Sequence, residues 1–425
     1  MNIGIRLQKM TIKEKYLMIF CSFLMVRLGF VFLLKKYFPD LEAFPDTRRY
    51  EILSSQILEG NFNLDCGLFL VAPVYPYFLA LTKLIFGEFW NLGASSIQII
   101  LSCLSGIYFY KFSKLIFDSE KVAILGTLGY CFYPFTMWYV HSISQETIYQ
   151  TFLIFSLYHF VFGLKNQNGK HLIYSAILFS ICFLTKSIIL FYSPFLALLI
   201  YWYFDKNVKN KLKMVFTYTF ICIIFTLPNG IYNLKTHGVY TFSSDGISFY
   251  FSYSNNEHTS KSVGLYKYAK GLNHFDYPFG KPFEMEQDVH TKKHSPKERN
   301  KAYLLEGWTW IRNYPKEWVL LSLTKLQRYL TPGFSFVYHP LKKWLPSFLI
   351  GLPVFIFGYL GLIKGIRTNF KTHGWMFFLF LSMLIFSIIF CHQGRFRIVT
   401  MEGFYLMYAA FGWVTFIDWL KKRQK

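Results

Sequence analysis

Residues 44–62 read "FPDTRRYEILSSQILEGNF", a polar stretch set between strongly apolar runs. Asp46 is a carboxylate able to take a proton from a nucleophilic hydroxyl. Arg48 and Arg49 are guanidiniums able to hold a phosphate through two parallel hydrogen bonds. Tyr50 follows four residues after the acid, at the start of a run with helical spacing. Pro45 suits a turn into that helix, so Asp46 also fits a helix cap, and its arginines fit lipid headgroups.

Three further stretches carry polar groups at apolar boundaries. "HSISQETIYQTF" places Glu146 at a helix start, where an acid also offsets the helix dipole. "FLTKSIILFYSP" buries Lys186 and Ser187 within an apolar hairpin, where an ammonium is costly unless it is paired or reaches water. "CHQGRFRIVTMEGFY" sets His392, Arg395 and Arg397 at the end of an apolar helix, on the side where basic residues are rare. An anionic ligand would explain those arginines. His290 and His294 in "HTKKH" have helical i,i+4 spacing but lack the acid of a zinc helix, so no metal site is assigned. P-loop, dinucleotide-binding and nucleophile-elbow motifs are all missing, which disfavours a cytosolic nucleotide enzyme.

The elements that would position these groups are membrane helices. The chain has 425 residues, 53% hydrophobic and only 16% charged, and it contains many apolar runs long enough to cross a bilayer. The first run, 16–34, has no small-residue cleavage site after it and reads as a retained helix. The net charge of +22 does not indicate nucleic acid, because Lys and Arg cluster at the ends of apolar runs: before residue 16, at 111–121, 206–213 and 364–371, and in "KKRQK". That is the positive-inside pattern. Most of the seven cysteines lie in apolar runs, with no disulfide framework.

If all five basic clusters are cytoplasmic, even numbers of crossings separate them. The expected fold is a polytopic α-helical membrane protein with about ten transmembrane helices: 16–34, 92–110, 121–140, 146–164, 172–187, 188–204, 214–231, 344–363, 374–391 and 400–420. The run 67–87 becomes re-entrant or interfacial. Three regions follow: an N-terminal membrane module over 1–231, an extracytoplasmic loop domain over 232–343, and C-terminal membrane helices over 344–425. The loop domain is expected to be mixed, since "GVYTFSSDGISFYFSY" alternates aromatic and polar residues around an Asp-Gly turn signal, whereas 297–330 has helical spacing. Parity puts Asp46, Glu146 and Arg395 outside, and Lys114, Lys209 and Arg367 inside.

The order of these stretches resembles a known family, the polytopic GT-C glycosyltransferases that take sugars from polyprenyl phosphates, such as bacterial protein mannosyltransferases and aminoarabinose transferases. "FPDTRRYEILSSQILEGNF" is similar to the family's first outer loop, and "APVYPYFLALTKLIFG" to its Pro-x-Tyr-Pro segment. "YPFTMWYVHSISQETIYQTFLIF", "LTKSIILFYSPF", "LPNGIYNLKTHG", "WIRNYPKEWVLLSLTKLQRYLTP" and "GRFRIVTMEGFYLMYAAFG" continue the resemblance from about residue 16 to 412. The chain departs from it at Tyr232, where the family has Arg, and at Val399 and Thr400, where Pro is common.

The resemblance implies inverting transfer at the extracytoplasmic face of a bacterial inner membrane, with Asp46 as general base. The substrate-binding candidates are Arg48, Arg49, Tyr50, Glu146, Lys186, Arg395 and Arg397. The implied partners are a polyprenyl-phosphate-linked sugar donor, a lipid, glycan or protein acceptor, and membrane lipids, with no nucleic acid. No nucleotide or redox cofactor is required, and a divalent metal, used by some members, stays open. The competing classes are a transporter or flippase of lipid-linked sugars and a noncatalytic relative. The outer loop and the acid among basic residues favour the enzyme.

Overall fold

The computed structural model describes residues 10–37, 46–205, 207–256, 295–333 and 341–424. Pro45, His290 and His294 lie outside the described residues. Nearly every described element is helical, and the β pairing among them is one isolated bridge, Asp65 with Leu70. Six helical segments are long and apolar enough to cross a membrane: Ile12–Leu34, Val74–Phe117, Glu146–Lys165, Val208–His237, Leu341–Thr368 and Phe370–Ile389. Gly169–Thr185 and Ser187–Tyr203 are shorter apolar helices. The protein is an integral membrane protein.

The first span is α1 (Ile12–Tyr37). After it, α2 (Thr47–Leu58) is amphipathic and buries Tyr50, Leu53 and Ile57. Next, α3 (Val74–Phe86) packs on α2 and on α4 (Trp90–Phe117), folding back at Gly87, whose φ of 55° a side chain would strain. The run 67–87, expected to be re-entrant or interfacial, thus contains a short helix packed against α4.

The span expected over 121–140 is divided. Ser119 caps α5 (Glu120–Phe132), and Pro134 then cannot donate to the preceding turn, so it opens a new helix, α6 (Pro134–His141). The most enclosed span is α7 (Glu146–Lys165), packed along α8 (Gly169–Thr185). A 3-10 turn, Ser187–Tyr192, leads into α9 (Ser193–Tyr203). Asn207 caps α10 (Val208–His237), which ends at Gly238 in the left-handed region.

The loop region is helical where described: α11 (Gly246–Ser254), α12 (Pro296–Asn313) with a Ser295–Glu298 capping box, and α13 (Pro315–Leu330). The alternating stretch around Asp245–Gly246 therefore starts a helix and not a hairpin. Tertiary packing overrides its strand propensity: Phe249 meets Phe69 and Tyr303 with ring centres 5.4 and 5.5 Å apart. The chain closes with α14 (Leu341–Thr368), α15 (Phe370–Ile389), α16 (Gly394–Arg397), a π-helical turn Ile398–Glu402, and α17 (Gly403–Arg423). α14 and α17 pack closely enough that a methyl at Gly361 or Gly412 would overlap backbone of the facing helix.

Polar residues pin the bundle internally. Arg27, in the middle of α1, is 1% exposed, donates to Ser102 Oγ at 3.1 Å and lies over the Phe23 ring. The candidate residues sort by end. The 20 residues of α7 span about 30 Å, carrying Glu146 at one end and Lys165 at the other, where Lys165 donates to Leu115 O. Lys114 lies at that second end, opposite Asp46 and Arg395.

Candidate active site

Asp46 occupies the residue before α2, yet its side chain caps nothing there. Its carboxylate turns toward two arginines instead. Oδ2 accepts from Nη1 of Arg395, and Arg49 Nη1 lies 3.4 Å from Oδ1. The Thr47 hydroxyl donates to Ile143 O at 3.1 Å and ties the start of α2 to the loop before α7. Arg49 lies over the Phe69 ring, 5.0 Å from its centre. Burial by itself would push the Asp46 carboxyl up, but Arg395, Arg49 and Lys186 outweigh it and hold it below its ordinary value.

Arg395 comes from α16, after α15 has ended and the chain has turned through Cys391–Gln393. Its Nε donates to Gln393 Oε1 at 2.7 Å and its Nη2 to the Tyr250 hydroxyl at 3.3 Å, which fixes the guanidinium plane. In the π turn that follows, Thr400 and Glu402 are buried beside apolar neighbours, and such turns are common at functional sites.

A second ion pair lies deeper. Lys186, delivered by the end of α8, places Nζ 2.8 Å from Glu146 Oε1 at the start of α7, with side chains 4% and 1% exposed. Lys186 also sits over the Phe396 ring at 4.8 Å, and the Arg395 guanidinium stands 5.4 Å from the same ring. Phe396 thus joins the two pairs into one cluster. Gln98 braces the segment before α7, donating to Val140 O and Ser142 O and accepting from Tyr75 at 3.0 Å. Tyr50 is buried edge-on against Tyr75 with ring centres 4.8 Å apart. Its phenol is pushed well up by burial and then by Asp46 and Glu146, so it faces both acids as a neutral hydroxyl.

Asp46, Arg49, Tyr50, Glu146, Lys186 and Arg395 therefore converge. Arg48 does not: it is exposed on another face of α2. Nor does Arg397. Its Nε bonds Glu402 Oε1 at 2.5 Å, Nη1 donates to the carbonyls of Arg328, Tyr329 and Thr331, and Nη2 to Gly333 O at 3.1 Å. At 2% exposure it ties the end of α13 to the π turn, and its donors are spent on the protein, so the expected anion contact gives way to a structural one. Sequence reading passed over Glu402, Gln98, Phe396 and Tyr250. Glu402, an acid inside an apolar run, was the one with a visible signal.

Among the described residues, no three His, Cys, Asp or Glu side chains gather as a metal cage. Asp46 and Glu146 are met by Arg and Lys instead.

Residues 71–232 match the model of the dolichyl-phosphate-mannose-protein mannosyltransferase family. The whole chain also superposes on a solved archaeal oligosaccharyltransferase, AglB from Archaeoglobus fulgidus, with a TM-score of 0.53 and 12% identity over 97% of this chain. The family match covers 162 of the 425 residues, and the likeness to AglB is one of fold. The chain spans about half the length of that enzyme, covering 51% of it. The AglB structure was solved with an inhibitory peptide and a dolichol-phosphate. No curated protein matches the chain. The family match includes Glu146 and Lys186 but ends before Arg395 and begins after Asp46. The Asp46–Arg395 pair thus lies outside the matched residues.

Proposed function

We propose that this protein transfers a sugar from a polyprenyl-phosphate donor to a hydroxyl acceptor at the extracytoplasmic surface of a bacterial inner membrane, in one inverting displacement with Asp46 as general base. The observation that carries this reading is the Asp46 carboxylate set against Arg395 and Arg49, with the Glu146–Lys186 pair sharing the Phe396 ring.

In that cluster three cations face two carboxylates, an excess of one positive charge. A sugar phosphodiester carries one negative charge and balances it. Arg395 is the partner that exchanges: its guanidinium leaves Asp46 for a phosphate oxygen, which frees the base. The acceptor O–H then gives its proton to Asp46 while its oxygen bonds the anomeric carbon. The bond from that carbon to the phosphate oxygen breaks, its electron pair stays on the phosphate, and Arg395 and Arg49 offset the new charge. The lipid tail stays in the bilayer, which suits a site built where membrane helices end.

Mannose is the first sugar to try, given the family matched over residues 71–232. Protein reconstituted with radiolabelled polyprenyl-phosphate mannose and a hydroxyl acceptor should release polyprenyl phosphate. Movement of intact donor across the bilayer without release would make the chain a transporter instead.

A further inference from the structure

Glu146 uses only half of its carboxylate. Oε1 is taken by Lys186 at 2.8 Å, while Oε2 is buried and receives no hydrogen bond from the described residues. A carboxylate oxygen enclosed in this way is costly to leave without a donor. Its surroundings are those of the site: Asp46 and Arg395 are close enough to act on it, and the phenols of Tyr50, Tyr75 and Tyr139 feel its charge. Tyr75 spends its own proton on Gln98.

We infer that Glu146 Oε2 accepts a hydrogen bond from one hydroxyl of the transferred sugar, with Lys186 fixing the carboxylate so that a single hydroxyl position is read. This rests on the glycosyl-transfer reading above. Lys186 holds Glu146 as an ionised acceptor, which leaves the base role to Asp46. The charge excess says which donor group it takes. A phosphodiester already neutralises the cluster, so an ammonium on the sugar would restore a positive excess, whereas a hydroxyl adds none. Losing a hydroxyl that such a site is built to bond costs more than losing apolar contact, because the carboxylate oxygen is left buried and unpaired.

The test uses polyprenyl-phosphate mannose and its 2-, 3-, 4- and 6-deoxy forms with the full-length reconstituted protein. For one of the four, wild-type kcat/KM should fall by roughly 10- to 100-fold, the range for a hydrogen bond to a charged group. Glu146→Gln, which presents an NH2 or a weaker acceptor there, should no longer distinguish that deoxy donor from the parent. A wild type indifferent to all four deletions overturns the inference without needing any variant to fold. So does a Glu146→Gln protein of normal melting temperature that keeps the full discrimination. A wild type that cleaves the parent donor but reads no hydroxyl leaves the glycosyl-transfer reading standing and removes this one.

Discussion

Arg395 donates to the Asp46 carboxylate across 349 positions of sequence, joining the segment after the first candidate span to the segment after Phe370–Ile389. The two side chains are 15% and 18% exposed, so the pair is reachable but shielded. A base held by a guanidinium is a weak base. Its strength depends on where that guanidinium goes when an anion arrives.

Asp46→Asn should lower turnover roughly a hundredfold or more, since the amide cannot take the acceptor proton. Folding should hold, because the Asp46 side chain makes no cap bond to lose. The same pair sets a pH signature. Asp46 is held below its ordinary value, so the base form is present above that value and is lost as pH falls through it. Arg395→Gln removes the strongest lowering partner, so the acid limb of kcat/KM should move to higher pH. A limb that stays in place in this variant would mean another group titrates. Radiolabelled turnover measured across pH, alongside melting curves, checks both.

The two arginines of "GRFR" should part company on substitution. Arg395→Ala should weaken binding of a polyprenyl-phosphate donor while changing melting little. Arg397→Ala should instead destabilise by about 3–5 kcal/mol, because Glu402 is left buried and uncompensated and several carbonyls lose their donor. Equal effects of both variants on donor affinity, at matched melting temperature, would argue against the division.

Asp245 offers a stability test away from the chemistry. Burial pushes its carboxyl up to about 6, above the ordinary value near 3.8, although it accepts the Leu70 amide at 2.6 Å. A raised carboxyl favours folding while protonated, so this contribution is present at low pH and is lost as pH climbs from about 4 through about 6. Asp245→Asn keeps an acceptor for Leu70 without the buried charge. It should gain on the order of 1–3 kcal/mol at pH 7.5 and little at pH 4, read as the difference in melting temperature at the two values.

Topology is tested by labelling. Single cysteines at Arg48 and at Lys209, in a background with the native cysteines replaced, should react with a membrane-impermeant reagent from opposite faces. Residue 48 is expected on the extracytoplasmic side. Labelling of both from one face of intact cells would undo the sidedness and the choice of acceptor compartment.

Composition and the placement of charge determined that this chain lives in a membrane, because hydrocarbon demands long apolar helices and the bilayer potential sorts lysine and arginine to their ends. The same reasoning drew out Asp46, Glu146, Lys186 and Arg395, since an ionisable group at an apolar boundary is expensive and therefore informative. Pairing was a different matter. Arg395 and Arg397 stand two residues apart with the same chemistry, yet one faces Asp46 and the other is consumed by Glu402 and the carbonyls of 328–333, a choice made by the direction in which α16 enters the π turn. Local pattern misled at Gly246–Ser254, where alternating aromatics became helix because Phe69 and Tyr303 supplied a surface that no window of sequence contains. Residue type and period are local properties and are readable along the chain. Which cation neutralises which acid depends on distances between segments hundreds of residues apart, and only the packing of α2, α7, α8 and α16 fixed them.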